Sequence, residues 1–161
     1  APRKLLFFYS GDAVALPLGP DKTDIGLRLA DGVLSLTELA AKLPPQTELT
    51  VIIDSMHADR FAGMDAKAAE EYLFQDIVKS AGAALPGVSL MLSAARWDQS
   101  LLADETAGGT LFAKYLAEAL AQENVPGPEA LWRALRDRLA DYGRQTGKLQ
   151  SPAYARALRP E

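Results

Sequence analysis

The 161 residues suffice for one domain with a sizeable core, and the apolar share of 48% and charged share of 24% are ordinary for a globular protein. The chain contains no cysteine, which excludes disulfides, thiolate metal sites and a cysteine nucleophile. It has no run of ~18 apolar residues, so no segment is expected to span a membrane, and its net charge of −4 argues against nucleic acid as a partner.

In chain order, the sequence first predicts a strand at residues 4–9. This strand follows Ala1-Pro2-Arg3 so closely that the start suggests trimming, which leaves export undecided. Residues 13–34 are broken by prolines and glycines, and we expect a loop or small hairpin above the sheet. Two further apolar runs follow at residues 49–53 and 88–92. All three runs are nearly unbroken rather than alternating, which is typical of parallel strands covered on both faces.

Helical patterns lie between and after these strands. Ser35 and Glu38 form a capping box before a short helix that ends at Pro44-Pro45. Apolar residues at helical spacing predict three more helices, at residues 65–83, 110–122 and 128–143. Residues 151–158 are expected to form a last edge strand, because a strand tolerates a proline at its start.

Strands that alternate with helices predict an α/β fold. We expect a layered, mostly parallel sheet with helices on both faces, in a single domain over residues 1–161. In such sheets, ligands and reactive groups gather beyond the carboxyl ends of the strands. Polar segments follow all three predicted parallel strands there: Ser10-Gly11-Asp12, Asp54-Ser55-Met56-His57 and Ser93-Ala94-Ala95-Arg96-Trp97-Asp98.

Together these strand ends resemble those of the caspase-type cysteine peptidases, particularly the bacterial and metacaspase-like branch. In that family one strand ends in Ser-Gly-His-Gly, the next in Asp-Ser/Cys-Cys-His-Ser-Gly, and the third in Leu-Ser-Ala-Ser-Arg-x-Asp-Gln. The matching segments here are residues 8–13 (FYSGDA), 54–59 (DSMHAD) and 92–99 (LSAARWDQ), then Glu105, Gly108-Gly109 and Leu111-Phe112. Residues 147–152 (GKLQSP) are similar to the Gln-Thr-Pro segment that closes such domains. The resemblance covers about residues 4–155.

The resemblance also exposes two departures. The family begins with another strand and helix, which this chain lacks, so a missing or separate chain segment would have to supply that first strand. Asp12 stands where the family has its basic histidine, and Met56 stands where it has its nucleophilic cysteine. A thioether is a poor nucleophile and an aspartate is a weak base, so the resemblance implies an inactive enzyme.

Three alternatives remain open from the residues themselves. Ser55 could act as a nucleophile with His57, the one histidine, if an oxyanion hole is present, although a structural role for His57 is favoured. Asp12, Asp54 and Asp98 could together bind Mg²⁺ or Ca²⁺. The residue that matches Asp54 in the family helps to accept a basic side chain, so this chain could capture Lys or Arg without cleavage. The simplest role for Asp54 and Asp98 is to hold backbone donors in turns.

The charge along the chain is uneven, which offers a second candidate surface. Residues 1–130 carry a net charge of −8 and residues 131–161 carry +4. The basic helix near residues 133–148 could meet an acidic partner, but a solvated helix face with Arg133 and Asp137 paired is the simpler interpretation. On the same helix, Trp132 is expected to pack in the core. Neither Ser10-Gly11 nor Gly108-Gly109 is long enough to predict a phosphate-binding loop.

The sequence therefore predicts a catalytically inactive caspase-like domain. It would act in protein–protein recognition or scaffolding through a vestigial peptide-binding cleft, with a protein or peptide partner that carries a basic side chain. No cofactor and no metal are expected. The former active site is assigned to Asp12, Met56 and His57, and partner binding is assigned to Asp54, Ser55, Asp98 and Trp97.

Overall fold

A computed structural model describes residues 3–19, 22–55, 87–95, 99–106 and 108–156. Within these ranges the chain has an α/β fold with a mixed, mostly parallel sheet and helices on both of its faces, as predicted. The elements in chain order are β1 Arg3–Ser10, β2 Ala13–Gly19, β3 Lys22–Leu29, β4 Gly32–Ser35, α1 Leu36–Ala41, β5 Thr47–Asp54, β6 Val88–Ser93, α2 Leu111–Leu120, α3 Pro128–Thr146 and β7 Ala153–Arg156. The helix predicted at residues 65–83 lies outside the described residues.

The larger sheet contains the three predicted parallel strands and the predicted last strand, in the order β1-β5-β6-β7. β1 pairs with β5 in parallel without a break, from Arg3 opposite Thr47 to Ser10 opposite Asp54. β6 continues the parallel order, and β7 closes the other edge as an antiparallel strand that begins just after Pro152. The sheet therefore brings the carboxyl ends of β1, β5 and β6 to one side.

Residues 13–34 form more regular structure than a loop or small hairpin. β2, β3 and β4 make a separate three-stranded antiparallel sheet. The reason is a short alternating pattern in β3, where Ile25 and Leu27 are fully buried against α1 and the larger sheet. An alternation over so few residues is easily hidden by the prolines and glycines around it.

The larger sheet is covered by different elements on its two faces. One face carries α1, with Leu36 packed against Leu49, Val51 and Ile53 of β5. The other carries α2 and α3, whose stripe of Phe112, Leu116, Leu131, Leu135 and Leu139 packs against β5, β6 and β7. Trp132 donates from Nε1 to the carbonyl of Pro152 at 2.8 Å and stacks on Tyr154, which confirms its predicted packing role.

β1 departs from the prediction that its strand is covered on both faces. Leu5, Leu6 and Phe8 are all exposed, because β1 lies at the edge of the sheet and α2 and α3 pack further along it. An unbroken apolar run indicates a strand, but it does not tell an edge position from a central one.

The basic helix α3 is a solvated face with its own counter-charges. Arg133 bonds to Glu129 at 2.6 Å rather than to Asp137, which instead accepts from Arg136. Arg138 pairs with Glu118, and Arg144 pairs with Asp141. Because each of these guanidinium groups already has an acidic neighbour, the helix offers little free positive charge to an acidic partner.

None of the helices described is long and apolar enough to cross a bilayer.

Candidate functional site

The strand ends meet as the sequence predicts. Ser10 lies opposite Asp54 in the pairing of β1 with β5, and Ile53 lies opposite Ser93 in the pairing of β5 with β6. Two backbone bonds extend the contact past the strands, from the amide of Gly11 to the carbonyl of Asp54 and from the amide of Ala94 to the carbonyl of Ile53. The site at the carboxyl ends of these strands is called the strand-end site below, and its members are Ser10, Gly11, Asp54, Ser55, Ser93 and Thr110.

Asp54 is the central group of the strand-end site. Its side chain is 1% exposed, and Oδ2 accepts hydrogen bonds from the hydroxyls of Ser10 at 2.9 Å and Thr110 at 2.6 Å. Oδ1 has no hydrogen-bond partner among the described residues. A buried carboxylate oxygen that lacks a donor carries a desolvation cost, so Asp54 is prepared for one more donor.

Thr110 connects the strand-end site to α2. It is the residue that caps the amino end of α2, where its hydroxyl accepts from the amide of Ala113 at 3.0 Å while donating to Asp54. The carboxylate of Asp54 therefore lies beside the positive end of a ten-residue helix. Sequence reasoning missed Thr110 because a capping threonine gives no sign of the distant carboxylate that it contacts.

Ser55 and Ser93 belong to the buried floor of the strand-end site. Ser55 is 2% exposed and Ser93 is fully buried, and Ser93 Oγ lacks a hydrogen-bond partner within the described part of the chain. A serine nucleophile must present its hydroxyl to a substrate carbonyl, and the burial of Ser55 disfavours this. On the β1 side the site is open, because Ser10 and Gly11 are exposed.

Asp12 faces away from the floor of the site and is tied to the smaller sheet. Its carbonyl accepts from the amide of Arg28 at 3.0 Å and from the phenol of Tyr9 at 2.7 Å. Tyr9 Oη is also 2.7 Å from the carbonyl of Arg28. Burial, together with the negative charge of Asp12, raises the pKa of Tyr9 above its ordinary value. Asp12 is exposed, so its carboxylate can act only at the rim of the site.

The turn after β6 is held by a buried amide that the sequence did not single out as a structural link. Gln150 is 2% exposed; its Nε2 donates to the carbonyl of Ala94 at 2.8 Å, and its Oε1 accepts from the amide of Leu102 at 2.6 Å. Gln99 similarly accepts from the amide of Ser151. These bonds fix residues 99–102 beside the end of β6.

The loop before α2 has its own acidic anchor. Asp104 accepts from the amide and hydroxyl of Thr106 and pairs with Lys114 at 3.1 Å. The hydrogen bond to Asp104 raises the pKa of Lys114 above its ordinary value. Glu105, which matches an acidic residue of the caspase-type pattern, is exposed and 3.9 Å from Lys148. This loop contributes Thr110 to the strand-end site.

The remaining residues predicted for the site lie outside the described residues: Met56, His57, Trp97 and Asp98. The predicted metal site of Asp12, Asp54 and Asp98 is therefore described only in part. Within the ranges given above, no group of three acidic or histidine side chains is arranged to hold a metal ion.

Comparisons with known proteins extend only to the fold. No protein-family model matches the chain, and no curated protein matches it at a significant level. Among solved structures, the chain is similar to protein GSU0716 from Geobacter sulfurreducens, with a TM-score of 0.57 and 20% sequence identity. The match covers 99% of this chain and 67% of that chain, so about a third of GSU0716 has no counterpart here. The resemblance to caspase-type peptidases stays a prediction.

Proposed function

We propose that this chain is a non-catalytic recognition domain that binds a basic side chain of a protein or peptide partner at the strand-end site. The observation that carries the proposal is the buried carboxylate of Asp54, with one oxygen held by Ser10 and Thr110 and the other without a donor in the described structure. Asp54 thus has a fixed orientation and an unused acceptor.

A guanidinium or ammonium group fits this acceptor best. A charged donor to a buried carboxylate contributes roughly 1.5–3 kcal/mol per hydrogen bond, more than a neutral donor contributes. The exposed carboxylate of Asp12 at the rim adds negative charge at the open side, near Ser10 and Gly11. Asp54 forms no ion pair with any other residue whose position the structure describes, so an incoming cation has no internal competitor among them.

The absence of cysteine supports binding without thiol chemistry. With Met56 at the position of the nucleophile in the caspase-type pattern, the chain has no group for a thioester intermediate. On this proposal the polar strand ends serve recognition alone, as a vestigial cleft.

The test is an NMR titration of the intact chain with two short peptides that differ only in a central arginine or glutamine. We expect the arginine peptide to perturb amides at residues 10–12, 54–55 and 110, and to bind about tenfold or more tightly than the glutamine peptide. In Asp54→Asn the carbonyl oxygen still accepts from Ser10 and Thr110, but the amide nitrogen replaces the free acceptor. This variant should remain folded and lose the preference for arginine.

Asp31→Asn is the matched control, because Asp31 is exposed in the turn between β3 and β4 and far from the strand ends along the chain. Equal binding of both peptides, or an arginine preference that survives in Asp54→Asn, would refute the proposal. A fluorogenic arginyl amide should also remain uncleaved. Release of its fluorophore that disappears in Ser55→Ala would instead establish the serine hydrolase alternative.

A further inference from the structure

The free edge of β1 lacks the features that protect edge strands. β1 pairs with β5 on one side, and no described strand pairs with its other side. Its eight residues pair with β5 without a bulge, and none is a proline. Leu6 and Phe8 are 55% and 45% exposed, and charges occur only at its start, as Arg3 and Lys4. A long, flat, apolar edge of this kind is a template for another strand.

An apolar groove lies beside this edge, on the face that carries α2 and α3. It has a volume of about 190 Å³. Leu6, Ile52 and Leu92 form its floor on the sheet, and Leu120, Val125 and Leu131 form its wall at the end of α2 and the start of α3. Phe8 lies on the same face as Leu6, because residues two apart in a strand point the same way. Leu120 and Val125 are exposed as well, so the apolar surface continues from the sheet onto the helices.

The edge and the groove require different kinds of cover. The edge offers backbone donors and acceptors, which only an extended strand can pair with. The groove lies above the plane of the sheet and offers side chains only, which suits the apolar face of a helix. A second copy of β1 would pair with the edge but would leave the groove open.

GSU0716 from Geobacter sulfurreducens, which shares this fold, has additional chain equal to about a third of its length. Additional polypeptide on this fold is therefore precedented, and we infer that the free edge of β1 and the adjoining groove bind a strand–helix unit of a further polypeptide segment. The strand of this unit pairs with β1, and its helix packs on Leu6, Leu120 and Val125. Acidic residues near one end of that strand would complement Arg3 and Lys4.

A probe can be made from sequences that already pack in this fold. Residues 47–54 pair with the other side of β1, with Glu48 opposite Lys4, and residues 111–120 pack on the same face as the groove. A synthetic peptide that joins these two segments through a Gly-Ser linker should bind the intact chain saturably, as measured by fluorescence anisotropy with native mass spectrometry for stoichiometry. Because both parts contribute, it should bind about tenfold more tightly than either segment alone or a shuffled peptide.

Variants on the protein separate the edge from the groove. Phe8→Lys changes the edge and Val125→Lys changes the groove; both side chains are exposed, so neither variant should unfold the chain. Each should weaken binding of the strand–helix peptide about tenfold, since a buried apolar contact is lost. Val33→Lys is the matched control, because Val33 is equally exposed on β4 of the smaller sheet. Asp54→Asn should bind the strand–helix peptide normally, so this test stands apart from the arginine test.

Several outcomes would overturn the inference. These are an absence of saturable binding, equal binding of the shuffled peptide, or equal binding by Phe8→Lys, Val125→Lys and Val33→Lys. Native mass spectra that show a dimer of the chain which Phe8→Lys disrupts and the peptide does not displace would assign the edge to a second copy instead.

Discussion

Asp24 shows how much a single buried carboxylate can organise without any role in binding. It is fully buried between the smaller sheet and α1. One oxygen accepts from the amide of Ile25 at 2.7 Å, and the other accepts from the hydroxyl of Ser35 and from the amide of Thr37 at 3.2 Å. Ser35 in turn accepts from the amide of Glu38, so the predicted capping box is supported from below by Asp24.

Replacing Asp24 by asparagine should therefore destabilise the chain. An amide has only one accepting oxygen, so its nitrogen would face a backbone or hydroxyl donor. We expect a loss of about 2–3 kcal/mol in the free energy of unfolding, measured with urea. Asp31→Asn, the same change at an exposed position, should alter it by less than about 0.5 kcal/mol. Equal stability of the two variants would show that Asp24 does not support α1.

Tyr9 gives the residue scale a pH dependence. Burial and, to a smaller extent, the charge of Asp12 raise the pKa of its phenol. A raised pKa means that folding favours the neutral phenol, so this stabilisation is complete below the unfolded value of about 10 and is lost as pH rises through the folded value.

Asp12→Asn should lower the pKa of Tyr9 part of the way toward its ordinary value, since burial remains. Ultraviolet titration of tyrosinate, with Tyr9→Phe subtracted to isolate this residue among the five tyrosines, measures the shift. Asp31→Asn should leave it unchanged. An unchanged or higher pKa in Asp12→Asn would place Asp12 too far from the phenol to act on it.

At the scale of elements, the helices are ordinary and the links between them are specific. α3 begins with Pro128 and ends at Gly147, whose φ of 71° suits a glycine in the left-handed region. Its arginines find partners on the same helix or on α2, as generic solvated helices do. The link that positions the turn after β6 is instead one buried side chain, Gln150.

Gln150→Ala should uncouple this turn from the end of the chain. It leaves the carbonyl of Ala94 and the amide of Leu102 without their partner, so we expect a loss of about 2–3 kcal/mol in the free energy of unfolding by urea. Gln145→Ala, an exposed position on α3, is the control and should be nearly neutral. A Gln150→Ala variant as stable as Gln145→Ala would mean that the two backbone groups find other partners at no cost.

At the scale of the whole molecule, the sheet order explains both surfaces with functional proposals. The parallel arrangement of β1, β5 and β6 collects Ser10, Asp54 and Ser93 at one end, and the edge position of β1 leaves an apolar strip along one side. The strand-end site and the edge are separate surfaces of the same strand, β1. A partner could therefore occupy either surface without covering the other.

The sequence by itself determined which segments become the strands of the larger sheet, where α1, α2 and α3 lie, and that no thiol chemistry is available, because local periodicity, capping residues and composition are properties of short stretches. Only the tertiary structure decided that residues 13–34 form a second sheet, that β1 is an edge, that Arg133 pairs with Glu129, and that Thr110 and Ser10 orient Asp54. Each of these depends on contacts between residues distant in the chain or on a choice among equivalent neighbours, and no local pattern encodes such a choice.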